Sequence, residues 1–253
     1  MPVALKQIVD YLHTALSVDK FRDYCPNGLQ VEGKEQVGKI VAGVTACQAL
    51  IDKAVDVDAD LILVHHGYFW KGESQVLTGI KGNRIRTLMQ NNISLLAYHL
   101  PLDAHPIWGN NAQLANILGI NVEGGLEPDN PLSVGNIGTL KSPVSAQAFA
   151  AYVGEQLRRE PQLILGDERP VQRVAWCSGS AERMIEQADQ LQADLFMSGE
   201  ISEPVVHYAR EAGIHYLGAG HHATERYGVQ ALGEHLAERF GIEYQFVDID
   251  NPV

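Results

Sequence analysis

The residues of this sequence that could do chemistry are histidines and carboxylates that follow short apolar runs. Neutral imidazoles together with carboxylates are ligands for zinc, manganese, iron and nickel ions. They occur after four predicted strands, in the segments His65-His66, His99 to Asp103, Gly199-Glu200 and 220–225. Because two of these segments contain a histidine pair, the sequence predicts binding of divalent metal ions.

The spacing within each segment limits how the metal could be held. Neighbouring side chains of a strand point to opposite faces, so His65 and His66 do not easily share one ion. They could serve two ions, or one of them could turn away at Gly67. His221 and Glu225 are four residues apart, so they share one side of a helix that begins there. A two-metal centre would activate a water molecule and polarise the attacked group.

Several neighbouring residues have plainer interpretations. Asp103 could form only a turn, and the aromatic trio 68–70 could pack locally or stack on a planar ligand. His99, His105 and His222 are interpreted as residues that orient metal ligands or support the structure.

The sequence also repeats itself. Residues 39–67 can be laid over residues 173–201 at a constant offset of 134 positions. Residues 91–100 match residues 211–221 in pattern at an offset of 121 positions. The difference between the offsets predicts an extra loop in the first copy, near residues 68–80.

This repeat indicates the architecture that positions the polar segments. Short apolar strands that alternate with helices favour a parallel or mixed sheet with helices on both faces. Ligands of such sheets bind beyond the carboxyl ends of the strands, where all four polar segments lie. We expect an α/β fold of two duplicated halves, residues 1–128 and 129–253, which meet in the Gly/Pro-rich stretch 124–138. If the halves face each other about a pseudo-twofold axis, these segments converge on one site.

Composition excludes several classes of function. The net charge of −12 over 253 residues disfavours non-specific binding to nucleic acid. No apolar run approaches the length of about 18 residues that a membrane span requires, and no signal peptide is expected. The three cysteines stand far apart, which argues against a disulfide framework. We expect a cytoplasmic protein.

Six motifs together resemble those of a known family. They are PNGLQVEG (26–33), GVTA (43–46), VHHGYFWKG (64–72), HLPLDAHPIWGNNAQLA (99–115), SGE (198–200) and GHHATE (220–225). The combination resembles the GTP cyclohydrolase I type 2 / Nif-three-like family, in particular its short bacterial members. The resemblance implies two three-layer α/β/α halves with mixed sheets, a toroidal homohexamer, and a dinuclear metal site between the halves.

The resemblance also implies which residues form the site. Two divalent ions per subunit, zinc, iron, manganese or nickel, would be held by His65, His66, Asp103, His221 and Glu225. Glu225 would bridge the two ions. Glu200 and His222 are the candidate catalytic residues, either as general base or as residues that orient a ligand.

For function, the resemblance implies a metal-dependent hydrolase that acts on a nucleotide or related small molecule through metal-bound hydroxide. Opening of the guanine ring of GTP is consistent with such chemistry. The triphosphate needs cations, yet no P-loop is present. The only dense basic cluster near the site is Lys71, Lys81, Arg84 and Arg86. The alternative is a non-enzymatic protein that handles metal or binds a partner.

Overall fold

The strands of the chain form two mixed sheets and one two-stranded antiparallel sheet. The computed structural model describes residues 1–253. The strands are β1 (Val3–Ala4), β2 (Gly28–Val31), β3 (Gln36–Val37), β4 (Lys39–Thr45), β5 (Leu61–His66), β6 (Ser94–Ala97), β7 (Asn121–Gly125), β8 (Asn136–Val144), β9 (Gln162–Ile164), β10 (Val171–Cys177), β11 (Leu195–Ser198), β12 (His215–Gly218) and β13 (Glu243–Phe246).

The helices cover the sheets. They are α1 (Leu5–Ala15), α2 (Gln48–Asp56), α3 (Gly79–Gln90), α4 (Leu100–Asp103), α5 (Asn110–Leu118), α6 (Ala146–Leu157), α7 (Ile185–Gln190), α8 (Glu203–Ala212) and α9 (His221–Phe240). None of these helices is long and apolar enough to cross a membrane.

The first unit comprises Met1–Trp108 and Gly228–Asp250. Its five-stranded sheet has the order β13-β4-β5-β6-β2, and only β2 runs antiparallel to its neighbour. Side chains alternate between the two faces of each strand. Leu61 and Leu63 pack against α1 and α9, whereas Ile62 and Val64 pack against α2 and α3. This unit is therefore a three-layer α/β/α structure.

The second unit comprises Gly109–Tyr227 and Asn251–Val253. Its six-stranded sheet has the order β7-β8-β10-β11-β12-β9, in which β10, β11 and β12 are parallel. Trp176 and Met197 face α5 and α6, whereas Phe196 and Tyr216 face α7 and α8. The second unit is thus layered like the first.

The two units repeat one strand plan, which confirms the predicted duplication. Strands β4-β5-β6-β2 and β10-β11-β12-β9 have the same order and the same directions. Gly43 pairs with Val64 in the first sheet, and Cys177 pairs with Ser198 in the second. Both members of the second pair lie 134 positions after those of the first, as the sequence alignment predicts.

The last helix and strand of each half belong to the unit of the other half. Helix α5 packs in the core that contains Phe149 and Trp176, and β7 pairs with β8. In return, β13 pairs with β4, and most of α9 packs in the first unit. The units therefore differ from a division at residue 128: α5 and α9 bury their apolar faces in the exchanged positions, and β7 and β13 are attached there by strand pairing.

Candidate metal site

Strand β5 ends in the first histidine pair. His65 is fully buried, and the ring centroids of His65 and His66 are 4.6 Å apart. The chain turns directly after them, at Gly67. A Cβ atom at this position would collide with the side chains of Gln30 and Ala97, so glycine is required here. Both imidazoles therefore lie at the carboxyl end of β5, with their rings close together.

The ring nitrogens of His65 have distinct roles. Nδ1 lies 2.9 Å from the carbonyl oxygen of Tyr98, which can only accept a hydrogen bond. Nδ1 therefore donates, and in the neutral ring Nε2 carries the lone pair. This Nε2 lies 3.4 Å from Oδ2 of Asp103, at the end of α4. A histidine whose second nitrogen donates to an oxygen in this way is typical of metal ligands.

The imidazoles of His66 and His99 also have Nδ1 close to an oxygen atom. Nδ1 of His66 lies 3.3 Å from the hydroxyl of Thr45, and Nδ1 of His99 lies 2.7 Å from Oδ1 of Asp23. His65, His66 and His99 each offer a ring nitrogen, and these nitrogens lie within 4.8 Å of one another. The first unit therefore collects three imidazoles.

Asp23 is a site residue that sequence reasoning missed. Its carboxylate accepts hydrogen bonds from His99, from the Asn27 amide at 2.8 Å, and from the backbone N–H groups of Tyr24 and Leu100 at 2.6 and 2.9 Å. Burial opposes ionisation, but the hydrogen bonds from His99 and Asn27 outweigh it and lower the pKa of Asp23. The only sequence signal was its position in a polar stretch, which does not indicate a partner 76 residues away.

Trp70 borders the same cluster. Its ring centroid lies 5.8 Å from that of His66 and 5.0 Å from that of His99, at interplanar angles of 60° and 84°. Glu73 fixes this part of the loop by accepting hydrogen bonds from the backbone N–H groups of Phe69 and Trp70, at 2.8 and 3.1 Å. The aromatic side chain is thus placed beside the imidazoles by its own loop.

In the second unit, His221 and Glu225 stand one turn apart at the start of α9. Nε2 of His221 lies 3.1 Å from Oε2 of Glu225, as the four-residue spacing predicts. Nδ1 of His221 lies 2.6 Å from Oε1 of Glu200. Burial lowers the pKa of His221, but its hydrogen bonds to Glu225 and Glu200 outweigh that effect and raise the pKa to about 9. These carboxylates favour a cation at His221, which either a proton or a metal ion can supply.

Glu200 and His222 occupy different surroundings. Glu200 follows β11 at the position that corresponds to His66 in the repeat, and its carboxylate accepts the hydrogen bond from His221. His222 lies next along α9, and its backbone N–H donates to the Val253 oxygen at 2.9 Å. Glu200 is therefore placed to orient His221.

The Glu225 carboxylate packs directly against Gly179, in space that a side chain at position 179 would occupy. Gly179 has a φ of +65°, and a Cβ atom there would collide with Oε1 of Glu225 and lie 3.1 Å from Nε2 of His221. Its backbone N–H donates to the hydroxyl of Thr224 at 3.0 Å. A side chain at this position would strain the backbone and would displace the carboxylate of Glu225.

Comparisons with known proteins agree over the full chain. A sequence profile of the Duf34/NIF3 (NGG1p interacting factor 3) family matches residues 3–252. A Pseudomonas aeruginosa protein named GTP cyclohydrolase 1 type 2 homolog is 54% identical over 252 residues, and the match covers 100% of both chains.

Solved structures show the same relationship. One, described as protein ybgI of unknown function, is 48% identical, has a TM-score of 0.95, and is matched over 99% of this chain and 100% of that chain. Another, from Thermus thermophilus, is 35% identical, has a TM-score of 0.89, and is matched over the same shares of the two chains. This chain belongs to the Duf34/NIF3 family.

Proposed function

We propose that this chain holds two divalent metal ions and hydrolyses a nucleotide or a related small molecule. The proposed ligands are His65, His66, Asp103, His221 and Glu225. The observation that carries the proposal is the hydrogen bonding of the histidines. In each of the three, Nδ1 faces an oxygen partner, Tyr98, Thr45 or Glu200, as in metal-ligating histidines.

The donor set suits a first-row transition ion. Imidazole nitrogens favour zinc, iron or nickel, while carboxylates also accept manganese. When bound, such ions would supply Lewis-acid activation of water. The chain's own contribution is to fix the ligands. Glu200 holds the ring of His221, and the Tyr98 carbonyl holds the ring of His65.

A specific observation favours a second candidate, a protein that binds metal without catalysis. Turnover of a triphosphate would need free cationic side chains near the site. Lys81 instead forms an ion pair with Glu73 at 3.2 Å, and Arg86 donates to the side chain of Asn83 at 2.9 Å. Part of the basic cluster is thus engaged locally.

Assay of a nucleotide panel that includes GTP, in the presence of each candidate metal, separates the two candidates. The hydrolase proposal expects turnover with at least one metal, and loss of that turnover in Glu225→Gln. The matched control is Glu203→Gln, an exposed carboxylate on α8. Metal binding without turnover of any nucleotide would support the second candidate.

We propose that the chain assembles as a homohexameric ring, as the family resemblance implies, and that it is cytoplasmic, as its three widely spaced cysteines indicate. Light scattering on the purified chain tests this, because the mass should be six times 27.7 kDa. A mass of one or two chains would contradict it.

A further inference from the structure

We propose that His99 is an additional metal ligand, so that the first unit supplies three imidazoles and the Asp103 carboxylate. This inference rests on the proposed metal binding and extends it to a residue outside the five proposed ligands. It also assigns Asp23 as the positioning residue for His99.

The rings of His99, His65 and His66 lie close together. The ring centroid of His99 is 5.1 Å from that of His65 and 5.8 Å from that of His66. A ring nitrogen from each of the three lies within 4.8 Å of the other two. Three imidazoles at this separation can converge on an ion with small side-chain rotations. Asp103 is buried, with only 4% of its surface exposed. Its Oδ2 atom lies 3.4 Å from Nε2 of His65.

A carboxylate holds the imidazole of His99 by a hydrogen bond at Nδ1, the ring nitrogen that would not bind the metal ion. Nδ1 of His99 faces the Asp23 carboxylate at 2.7 Å, so Nδ1 donates and Nε2 is left for another partner. A carboxylate behind a histidine is the arrangement that fixes the ring and raises the basicity of the ligating nitrogen. His65 and His66 have the weaker partners of a carbonyl and a hydroxyl.

Asp23 positions His99 and does not itself bind the metal ion. Together with Cys25 and His99, it could form another group of metal-binding atoms. Both of its oxygens, however, already accept two hydrogen bonds each, from His99, Tyr24, Asn27 and Leu100.

The anchoring extends to the backbone. The Asn27 side chain accepts a hydrogen bond from the backbone N–H of His99 at 2.7 Å, while its amide donates to Asp23. Asn27 and Asp23 therefore fix both the main chain and the ring of His99. A set of three imidazoles and one carboxylate favours zinc, iron, cobalt or nickel over magnesium and calcium.

Titration with Co²⁺ tests the inference, with visible absorption and paramagnetic proton NMR as readouts. In the wild type, contact-shifted exchangeable N–H signals report ligated imidazoles. We expect His99→Gln to lose one such signal, to change the d–d spectrum, and to lower Co²⁺ affinity at least tenfold. Asp23→Asn should keep the signal but lower the affinity about 10–100-fold. The matched control is His207→Gln, because the His207 side chain is 64% exposed on α8.

The outcomes separate this inference from the proposed function. If His65→Ala loses Co²⁺ binding while His99→Gln retains the wild-type spectrum, signals and affinity, the assignment of His99 is overturned and metal binding stands. If the wild type itself binds no Co²⁺, both fail. Thermal melting identifies any variant that fails to fold. If His99→Gln does not fold, the Co²⁺ affinity of Asp23→Asn, which leaves the imidazole in place, is the deciding measurement. A lower affinity than the wild type supports the assignment of His99, and an unchanged affinity overturns it.

Discussion

Asp60 and Asp194 stand at equivalent positions of the repeat, and each accepts hydrogen bonds from two consecutive backbone N–H groups. Oδ2 of Asp60 accepts hydrogen bonds from the backbone N–H groups of Gly38 and Lys39, at 2.8 and 3.1 Å. Oδ2 of Asp194 accepts from residues 172 and 173 at 2.9 and 2.8 Å. Each carboxylate thereby fixes the beginning of an equivalent strand, β4 or β10.

Replacement of either carboxylate should destabilise the fold. Asp60→Ala and Asp194→Ala each leave two backbone N–H groups without their acceptor, so we expect a loss of about 1–3 kcal/mol in the free energy of unfolding. Urea denaturation measures it. Glu211→Ala, at an exposed helical position, is the control and should change stability by less than about 0.5 kcal/mol. Equal values for all three variants would show that the carboxylates have no such role.

Acid should weaken the fold through Asp60. Burial raises its pKa, but hydrogen bonds from Lys34 and from the backbone outweigh it, so the pKa of Asp60 is lowered. Its stabilising contribution is therefore present above the unfolded value of about 3.9 and is lost as the pH falls through the lower folded value. Urea midpoints measured from about pH 6 down to pH 3 should fall more steeply for the wild type than for Asp60→Asn. Parallel curves would refute this source of acid sensitivity.

Gly179 can be tested against a glycine with the same backbone conformation. Gly179 and Gly241 have φ values of +65° and +64°, but only at Gly179 would a Cβ atom meet other groups. Alanine at either position should cost about 1–2 kcal/mol of stability. Only Gly179→Ala should also displace Glu225 and weaken metal binding, which calorimetric titration with Zn²⁺ would detect. Unchanged Zn²⁺ affinity in Gly179→Ala would mean that this carboxylate is not a ligand.

Glu200 should act through His221. Glu200→Gln removes the charged acceptor that fixes the ring, and we expect metal affinity to fall about 10–100-fold. Calorimetry on this variant and on Glu203→Gln, whose parent side chain is 89% exposed, makes the comparison. If Glu200→Gln instead keeps full affinity and loses turnover, Glu200 is a general base rather than an orienting residue.

The sequence predicts the repeated strands well because the hydrophobic pattern is local. The offset of 134 positions correctly matches the pairing of Gly43 with Val64 to that of Cys177 with Ser198. The contact between His221 and Glu225 also follows from local helical spacing.

What the sequence does not predict depends on contacts between distant segments. The hydrogen bond of His99 to Asp23 and that of His221 to Glu200 join residues 76 and 21 positions apart, with no periodic signal. The sequence also does not predict that β7 and β13 each join the sheet of the other half. Each strand follows a helix whether it pairs within its own half or with the other half, so the local pattern is the same in both cases. The 4.6 Å separation of the His65 and His66 rings is likewise not predicted by the alternation of strand side chains.

Metal binding by residues of both halves of the chain can be measured by elemental analysis after loading with divalent metal and removal of excess ions. We expect about two ions per chain for the wild type, and a lower content in His65→Ala and in His221→Ala. His207→Ala should retain the wild-type content, because the His207 side chain is 64% exposed and is not one of the proposed ligands. No retained metal in the wild type, or equal content in all four proteins, would contradict this expectation.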